Sequence, residues 1–410
     1  MPEKVTAVIR HPENVPLITT KLQCPQFQGR MVERSSLLQR LLPAGCQVLL
    51  VLAPAGYGKT VLLSQLAGSC SRPTAWYSLN SYDDDPVVFI RHLAAALPKH
   101  ASQNEVHLHR LISRTDPEEL CRSALSFFVD VLASLPSGGL IILDNWQAIT
   151  QPAIYQFISE LIPLLPPQTQ LALAGRNSLE LVGQLALERL YLAGQVQLSG
   201  SQDLKFTPEE LKRLFGLRAC ALEEPQAERI AAFSGGWPIM VSFLTQAGEG
   251  LEEGRGRVPQ TLKAYIDREI LQDIPGNVSD FLIKTSVFTS FTSADCDELL
   301  DSSVSGEHLR YLESQQLFLE SREGRFSLVP VLRSHLRTKL GSEKCALFKK
   351  AGTIALSRGN LQQAVSCFLE AGERESIPEL VVRLAGEAIM HGRWQELGGW
   401  LEMAITVEEI

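Results

Sequence analysis

Cys46-Gln-Val-Leu-Leu-Val-Leu-Ala-Pro-Ala-Gly-Tyr-Gly-Lys-Thr-Val-Leu-Leu-Ser-Gln-Leu66 contains a strand, a loop and the start of a helix in immediate succession. The apolar residues Val48 to Ala53 are nearly continuous, which is typical of a parallel strand buried on both faces. Pro54 to Gly58 predict a tight loop, and the apolar spacing after Lys59 predicts a packed helix. A strand, a glycine-bearing loop and a helix N-terminus in this order predict a phosphate-binding site.

The loop has the residue types that phosphate binding requires. Gly56 and Gly58 let the backbone turn its N–H groups toward an anion, and the helix that begins at Lys59 directs its positive dipole end to the same place. The Lys59 ammonium can reach the outer phosphates of a nucleotide, and the Thr60 hydroxyl suits Mg²⁺. The consensus G-x-x-x-x-G-K-[ST] is met except at Ala53, where a small residue replaces glycine. A chance Gly-Lys-Thr triplet is the alternative, but it leaves the strand and helix around it unexplained.

Length and composition describe a globular protein of several domains. The chain has 410 residues, of which 45% are apolar and 20% charged, and its formal net charge is −8. This length predicts about three domains, and the negative charge does not favour nucleic-acid binding. The eight cysteines form no C-x-x-C pair, so we expect reduced core thiols. Since neither a signal peptide nor a membrane-spanning apolar run is found in the sequence, we expect a cytoplasmic protein without membrane association.

A second strand is expected to complete the nucleotide site. Leu140-Ile-Ile-Leu-Asp144 is a buried run that ends in a carboxylate. Because parallel strands end at one edge of a sheet, Asp144 is predicted beside Mg²⁺ and, with Lys59, in the catalytic centre. Many phosphate-loop hydrolases have a second carboxylate at the next position, where this chain has Asn145. An amide cannot accept a proton from the attacking water, so we expect slow or absent hydrolysis.

Two arginines are candidates for nucleotide contacts. Arg176 ends the buried run Gln170–Gly175, and the shared strand edge favours a γ-phosphate sensor over a surface charge. Arg34 lies in a helix predicted over Met31–Leu42, where a solvated side chain is the simplest interpretation and a contact to the base or a phosphate is the alternative. The acidic run Asp83–Asp85 predicts a solvated turn and a helix N-cap in preference to a metal site.

A change to helical architecture is predicted after the sheet. Phe206-Thr-Pro-Glu-Glu210 has the spacing of a capping box at a helix start. The break Ser234-Gly-Gly-Trp-Pro238 then separates two predicted helices. A small helical domain packed on the sheet would bring Trp237 and Pro238 toward the base of a nucleotide. A glycine-rich loop with a core tryptophan is an equally good interpretation.

Helices followed by a hairpin predict a winged-helix module in the next part of the chain. Leu317–Glu320 and Arg325–Leu328 flank a turn at Glu323-Gly324. The predicted helices over 293–315 contain several acids and a single arginine, Arg310. A recognition helix for DNA requires basic residues, so the module is interpreted as regulatory.

Together the segments predict a multidomain α/β plus α protein. The helical hairpins at its C-terminal end are typical of the opening of a TPR-like solenoid, so we expect a fragment of a longer protein. The predicted domains are an N-terminal arm (1–30), a P-loop NTPase domain with a parallel sheet (31–204), a small helical domain (205–258), a winged-helix regulatory domain (259–345) and the start of the α-helical solenoid (346–410).

The order of these motifs resembles the MalT-like branch of the STAND ATPases, the large ATP-dependent LuxR-type transcriptional activators. The resemblance spans nearly the whole chain, and the loop with its tyrosine is specific. It rests on Thr20-Lys-Leu22 with Arg34, Ala53–Thr60, Trp76–Leu79 with Asp83–Pro86, Leu143-Asp144, Gly175–Asn177, Phe206–Glu210 and Ser234–Trp237.

The resemblance implies a switch that uses ATP, ADP and Mg²⁺. ADP is expected to hold a closed resting form, whereas ATP, with an unknown inducer or protein signal at the solenoid, is expected to open it and drive self-association. The DNA-binding domain of the family follows the solenoid, so direct nucleic-acid binding is not expected of this chain. Magnesium ligands would be Thr60 and Asp144. The implied nucleotide contacts are Arg34, Pro54, Ala55, Gly56, Tyr57, Gly58, Lys59, Thr60, Val61, Arg176, Trp237 and Pro238.

Two departures from the family pattern affect this expectation. Relatives have Tyr-His-Pro, whose histidine senses the diphosphate, where this chain has Leu328-Val-Pro330. Val329 cannot make that hydrogen bond, and with Asn145 it predicts long-lived ATP occupancy and at most a slow ATPase. The alternative function is a stand-alone metabolic P-loop ATPase or small-molecule kinase, which would need a basic lid segment that the sequence does not suggest.

Overall fold

In the computed structural model of the protein, the description covers residues 16–27, 31–41, 45–97, 117–135, 137–176, 180–218, 220–247, 259–272, 274–315, 319–373 and 377–390. The described residues form two compact units. The first comprises those within Met1–Glu224 together with Trp237–Ile239, and the second those within Pro225–Gly236 together with Met240–Ile410.

The first unit is built on a parallel five-stranded sheet with the order β2-β3-β4-β1-β5. The strands are β1 (Val48–Leu52), β2 (Thr74–Ser78), β3 (Leu140–Asp144), β4 (Gln170–Gly175) and β5 (Val196–Ser199). Its helices are α1 (Ser35–Leu41), α2 (Lys59–Ser69), α3 (Pro86–Ala96), α4 (Pro117–Ala133), α5 (Pro152–Leu161), α6 (Glu180–Gln184), α7 (Glu188–Leu192), α8 (Ser201–Leu204) and α9 (Pro208–Gly216). The predicted α/β fold class is confirmed.

The register of the sheet brings the functional strand ends together. Leu52 at the end of β1 pairs with Gly175 at the end of β4, and Ser78 pairs with Asp144 across β2 and β3. Every residue of β1 and β3 is buried, as the continuous apolar runs predicted. The carboxyl ends of the strands therefore lie along one edge, where a ligand of a parallel sheet binds.

Two local predictions in this unit are wrong. The helix predicted over Met31–Leu42 begins only at Ser35, because the Gln65 side chain holds the preceding backbone: its carbonyl accepts from Arg34 N (3.1 Å) and its amide donates to Val32 O (2.9 Å). Asp83 is also not solvated. It is fully buried, 2.7 Å from Lys21 Nζ, and it accepts a hydrogen bond from the Tyr77 hydroxyl (2.8 Å).

The second unit is mainly helical. Its helices are α10 (Glu224–Ser234), α11 (Pro238–Ala247), α12 (Gln260–Ile266), α13 (Gly276–Thr285), α14 (Ser293–Leu300), α15 (Ser305–Ser314), α16 (Pro330–Arg337), α17 (Lys344–Ser357), α18 (Leu361–Ala371) and α19 (Ile377–Met390). α12 continues as one π-helical turn at Asp267–Leu271. The first residues of α10 and α11 belong to the first unit.

The predicted wing is present as an antiparallel hairpin of β6 (Leu319–Arg322) and β7 (Arg325–Leu328). Its turn residues Glu323 and Gly324 have φ angles of 52° and 76°, as a two-residue hairpin turn of type I′ requires. The predicted linker over Gly248–Pro259 and the last predicted helix, Trp394–Ala404, lie wholly or almost wholly outside the described residues.

Within the described part of the chain, no helix is both long and apolar enough to cross a membrane. The same residues contain no group of three or more histidine, cysteine or acidic side chains that could hold a metal ion. All eight cysteines are free thiols, as predicted, but they are not all core residues. Cys220 and Cys345 are exposed and Cys24 and Cys70 are half-buried, because a cysteine with no disulfide or metal partner can also lie at the surface.

Candidate functional site

The predicted phosphate loop has the backbone that anion binding requires. Gly56 and Gly58 have φ angles of 78° and 77°, a left-handed conformation that glycine adopts without strain. Gly58 is the N-cap of α2 and has no side chain to block the first turn, and its carbonyl accepts from Leu62 N at 2.9 Å. The N–H groups and positive dipole end of α2 thus begin directly at Lys59.

Lys59 lies against this loop and not in solvent. Its side chain is buried, and Nζ donates to the carbonyl oxygens of Ala53 (2.6 Å) and Pro54 (2.9 Å). Burial and, less strongly, the Arg176 charge lower the pKa of Lys59 to about 8, and the Asp144 charge partly opposes this shift. A desolvated ammonium beside phosphate-loop N–H groups is well suited to bind a polyphosphate.

The pKa of Lys59 predicts how ATP binding depends on pH. Phosphate charges favour the ammonium form, so bound ATP should raise the pKa of Lys59 from about 8 toward its ordinary value. Below pH 8 affinity should be constant, because Lys59 is already charged. Above pH 8 binding must take up one proton, so affinity should fall about tenfold per pH unit.

Calorimetric titration with Mg-ATP in buffers of different ionisation enthalpy measures this proton uptake. The control range is pH 6.5 to 7.5. Lys59 is already protonated there, so the heat of binding should not depend on the ionisation enthalpy of the buffer. An affinity that stays constant from pH 7 to pH 10 would show that Lys59 keeps its proton in the free protein or does not contact the phosphates.

Thr60 and Asp144, the predicted magnesium ligands, are hydrogen-bonded to each other. Thr60 Oγ1 donates to Asp144 Oδ2 at 2.8 Å, and the other carboxylate oxygen accepts from Asn145 N at 3.0 Å. Burial raises the pKa of the Asp144 carboxyl, while the hydrogen bonds from Thr60 and Asn145 and the Lys59 charge act in the opposite direction. A hydroxyl and a carboxylate oxygen side by side are the hard oxygen donors that Mg²⁺ prefers. These residues therefore fit the ion that the fold implies.

Trp237, Pro238 and Ile239 lie on the phosphate loop. Ile239 N donates to Gly56 O at 3.0 Å, and Trp237 Nε1 donates to Ala55 O at 3.4 Å. Trp237 is fully buried, as the interpretation of a core tryptophan predicts, whereas its contact with the base of a nucleotide stays a prediction.

The close approach of this segment explains why position 56 is glycine. A Cβ on Gly56 would lie 2.5 Å from Ile239 Cγ2 and 2.9 Å from Trp237 Nε1. Even alanine would therefore force the Trp237–Ile239 segment away from the loop. The rings of Tyr57 and Trp237 lie next to each other, with centroids 6.5 Å apart.

Arg34 occupies a different place from the one predicted. Its guanidinium forms a bidentate pair with Glu210 at 2.9 and 3.0 Å, and it also donates to the carbonyls of Leu204 (2.8 Å) and Lys205 (2.9 Å). The Arg34 side chain is only 10% exposed, so the solvated interpretation is wrong. Its donors are used within the protein, and a nucleotide contact through Arg34 stays an untested prediction.

Arg176 follows the last residue of β4, as predicted. Its charge lowers the pKa of Lys59, and the neighbouring Gly175 carbonyl accepts from Ala53 N at 3.2 Å, so the end of β4 adjoins the start of the loop. Arg176 also lines a cavity of about 700 Å³ together with Gln147, which the sequence analysis did not single out. No local sequence pattern distinguishes that glutamine.

Val329, which replaces the histidine of relatives, is buried in the second unit just before α16. A Cβ on Gly235, which has a φ angle of 60°, would lie 3.0 Å from Val329 Cγ1. The valine therefore packs directly on the backbone of the Ser234–Trp237 turn.

Comparison with known proteins agrees with this geometry. The family model described as the MalT winged helix domain matches residues 267–346. The HTH-type transcriptional regulator MalT of Cronobacter sakazakii is 26% identical over 404 residues, which cover 92% of this chain and 43% of that protein. The chain thus spans less than half the length of this relative.

Two solved structures match most of this chain, and the first of them is similar in fold. The Walker-type ATPase of Pyrococcus abyssi superposes with a TM-score of 0.54 at 14% identity and covers 76% of this chain and 99% of its own. A STAND protein with a tetratricopeptide repeat sensor from Pyrococcus horikoshii has a TM-score of 0.38 at 13% identity, over 94% of this chain and 54% of its own. The winged-helix match and the similarity to MalT over nearly the whole chain support the predicted resemblance to the MalT-like STAND ATPases, and the fold similarity agrees with the predicted P-loop sheet.

Proposed function

We propose that this chain is the ATP-binding switch module of a LuxR-type transcriptional activator. It alternates between an ADP-bound resting form and an ATP-bound form that associates with further copies. The observation that carries the proposal is the position of Trp237–Ile239: this segment leads into α11 and is hydrogen-bonded to the phosphate loop at Gly56. A change in the loop therefore has a direct structural route to the helical modules.

The residues of the site have separate roles in nucleotide binding. Lys59 leaves the carbonyls of Ala53 and Pro54 for the outer phosphates, and the N-terminus of α2 binds phosphate oxygens through its N–H groups. Thr60 and Asp144 hold Mg²⁺, which neutralises phosphate charge when bound. Arg176 binds the γ-phosphate, so it responds to the difference between ATP and ADP.

The turn Ser234–Trp237 can transmit that difference. Trp237 contacts the loop through Ala55 O, and Gly235, two residues earlier in the chain, packs against Val329 of the winged-helix module. A shift of the loop thus moves a segment that is in contact with residue 329. This turn is the bistable element that the proposal requires.

The binding free energy that one γ-phosphate contributes suggests that the switch also uses a second ligand. Moving a two-state equilibrium from 1:99 to 99:1 requires about 5.5 kcal/mol of differential binding. A γ-phosphate with a few charge-assisted hydrogen bonds, each about 1.5–3 kcal/mol, supplies little more than that. We propose that an inducer or protein signal on the helical hairpins after α16 supplies a second contribution.

Two residues bias the switch toward ATP. Asn145 is exposed and adopts a left-handed conformation (φ 63°) next to Asp144, and its amide cannot take a proton from water. Val329 has no hydrogen-bond donor for a diphosphate. Hydrolysis is therefore slow, and the ADP form has one contact fewer than in relatives with histidine.

We predict that the purified protein binds Mg-ATP at least as tightly as Mg-ADP. Val329→His should add a charge-assisted hydrogen bond to the diphosphate and strengthen ADP binding about tenfold. Calorimetry gives both affinities, mass spectrometry identifies the nucleotide retained on purification, and light scattering measures the particle mass with each nucleotide.

Val329→Thr, which has nearly the volume of valine, is the matched control and should leave both affinities unchanged. The proposal fails if no adenine nucleotide binds, or if particle mass is the same with ATP and ADP. Rapid single-turnover hydrolysis or a strong preference of the natural chain for ADP would contradict the predicted bias.

A further inference from the structure

A buried glutamine of α18 holds the first helical hairpin, α17–α18, on the winged-helix module. Gln363 is 7% exposed, and its Oε1 atom accepts hydrogen bonds from Thr289 N at 3.2 Å and from Ser290 N at 3.0 Å. Thr289 and Ser290 lie between α13 and α14, within the range that matches the winged-helix family. One side chain of the hairpin therefore pairs with two backbone N–H groups of the neighbouring module.

Ion pairs join the same two parts of the chain at the surface. Arg358 Nη2 lies 3.1 Å from a carboxylate oxygen of Glu298, and Lys350 Nζ lies 2.7 Å from one of Asp301. All four side chains are more than a third exposed, and solvent screening makes such pairs weak. Of these contacts, the buried one at Gln363 is the one that fixes the position of α18 on the module.

The segment that Gln363 binds is also paired with strand β7 of the wing. Phe291 N donates to Phe326 O at 2.9 Å and Phe326 N donates to Phe291 O at 2.7 Å, as in an antiparallel sheet. Arg325, the first residue of β7, donates from Nε to Ser290 Oγ at 3.0 Å. Because Phe291 is fully buried, this segment cannot shift without displacing β7 or breaking these bonds.

Strand β7 leads directly to the valine that packs on the Ser234–Trp237 turn. β7 ends at Leu328, and Val329 is the next residue and the N-cap of α16. Val329 is buried against Gly235, where a Cβ would lie 3.0 Å from its Cγ1. A continuous series of hydrogen bonds and packing contacts thus extends from α18 to this turn.

We propose that α18 controls the nucleotide state of the switch through the Gln363 contact. This inference rests on the proposed switch function and specifies how that switch is regulated. A nucleotide-dependent movement of the Ser234–Trp237 turn displaces Val329 and β7, and with them the backbone that Gln363 binds. The contact therefore has a different strength in the ATP and ADP forms, and a signal that loosens or tightens α18 shifts the balance between them.

Thermodynamic reciprocity makes this role measurable without the natural signal. If the Gln363 contact differs in free energy between the ATP and ADP forms, its removal must change the two nucleotide affinities by different factors. A glutamine that only stabilises the fold contributes equally to both forms, so its removal leaves the ratio of the affinities unchanged. The ratio therefore distinguishes regulation from stability.

The test uses Gln363→Met, which keeps the length of the side chain but removes the acceptor oxygen. Calorimetry with Mg-ADP and with the magnesium complex of a non-hydrolysable ATP analogue gives both affinities of each variant. Gln363→Met should change the ratio of the two affinities at least about fivefold. Gln363→Glu keeps an acceptor oxygen for the two N–H groups and should retain the ratio of the unchanged chain.

Two surface substitutions show whether the effect depends on position. Gln362→Ala removes the neighbouring glutamine of α18, which is exposed, and should leave both affinities unchanged. Arg325→Ala releases Ser290 from β7, and because Arg325 is exposed, the core is not disturbed. It should change the affinity ratio in the same direction as Gln363→Met.

A double-mutant cycle tests the connection to the turn. Val329→Ala removes the methyl groups that contact Gly235. Gln363→Met should therefore have no further effect on the affinity ratio in the Val329→Ala background. An effect that persists there would show that the coupling does not pass through β7, and it would overturn the inference.

The remaining outcomes separate this inference from the switch proposal. If Gln363→Met changes the affinity ratio no more than Gln362→Ala does, the contact is only structural and the inference is overturned. The switch proposal then still stands where the particle mass differs with ATP and ADP. If thermal unfolding shows that Gln363→Met is not folded, Arg325→Ala decides by the same criterion. An unchanged chain that binds no adenine nucleotide would overturn both proposals.

Discussion

Replacing Lys59 by alanine is expected to abolish ATP binding. The Lys59 ammonium is the buried cation at the start of α2, and it already donates two short hydrogen bonds to the loop. Two charge-assisted hydrogen bonds to phosphate contribute about 1.5–3 kcal/mol each, so their loss should weaken binding at least about 100-fold. Calorimetry with Mg-ATP and analysis of the nucleotide retained on purification would measure this loss.

The fold should survive this substitution. Burial of the ammonium is unfavourable, as the lowered pKa of Lys59 shows, so removing it relieves a desolvation cost. Because the carbonyls of Ala53 and Pro54 lose a donor at the same time, thermal unfolding of Lys59→Ala should occur near the temperature of the unchanged chain. Lys349→Ala, which removes a largely exposed lysine of α17, is the matched control for charge and should leave ATP affinity intact. Retention of ATP affinity by Lys59→Ala would remove the basis of the switch mechanism.

The sequence was sufficient to predict those parts of the site that depend on neighbouring residues. The strand before the loop, the left-handed glycines and the helix start at Lys59 all follow from one continuous segment, Val48–Leu66. Asp144 could be placed because a continuous apolar run specifies a buried parallel strand, and such strands end at a common edge. In these cases the local residue pattern and the topology of a parallel sheet predict the same position for each site residue.

Contacts between distant residues could not be predicted in the same way. Arg34 and Glu210 are 176 positions apart, and Lys21 and Asp83 are 62 apart. A charged residue at a helix start or in an acidic turn is usually solvated, so the sequence favours an exposed side chain for both Arg34 and Asp83. Their burial can be recognised only in the folded structure, where each side chain lies next to a residue of opposite charge.

Gln147 illustrates a second limit. An amide side chain after a strand has no distinctive pattern, and many such residues are solvated. Its Oε1 atom is buried without a hydrogen-bond partner among the described residues, which is a property of the packed structure that no sequence pattern reveals. The expectation of slow hydrolysis, which rests on Asn145, stays a prediction.

Removal of the Arg34 side chain is expected to have a large effect on the stability of the first unit. Arg34→Ala should lower the free energy of unfolding of the first unit by about 3–5 kcal/mol, because it leaves a buried carboxylate without its cation. Glu210 is about 10% exposed, and the carbonyls of Leu204 and Lys205 would lose donors as well. Urea unfolding, followed by the fluorescence of the buried Trp76 and Trp146, would measure this change.

A double-mutant cycle with Glu210→Gln separates the ion pair from other effects. Glutamine can keep the hydrogen bond that Glu210 Oε2 accepts from Thr207 N (3.1 Å), so the cap of α9 stays intact. Coupling above about 1 kcal/mol would show that the pair stabilises the fold. Arg40→Ala, on the exposed side of α1, is the control and should change stability by less than about 0.5 kcal/mol. Arg34→Ala with unchanged stability and lost ATP affinity would instead make Arg34 a nucleotide ligand, which its contacts with Glu210 argue against.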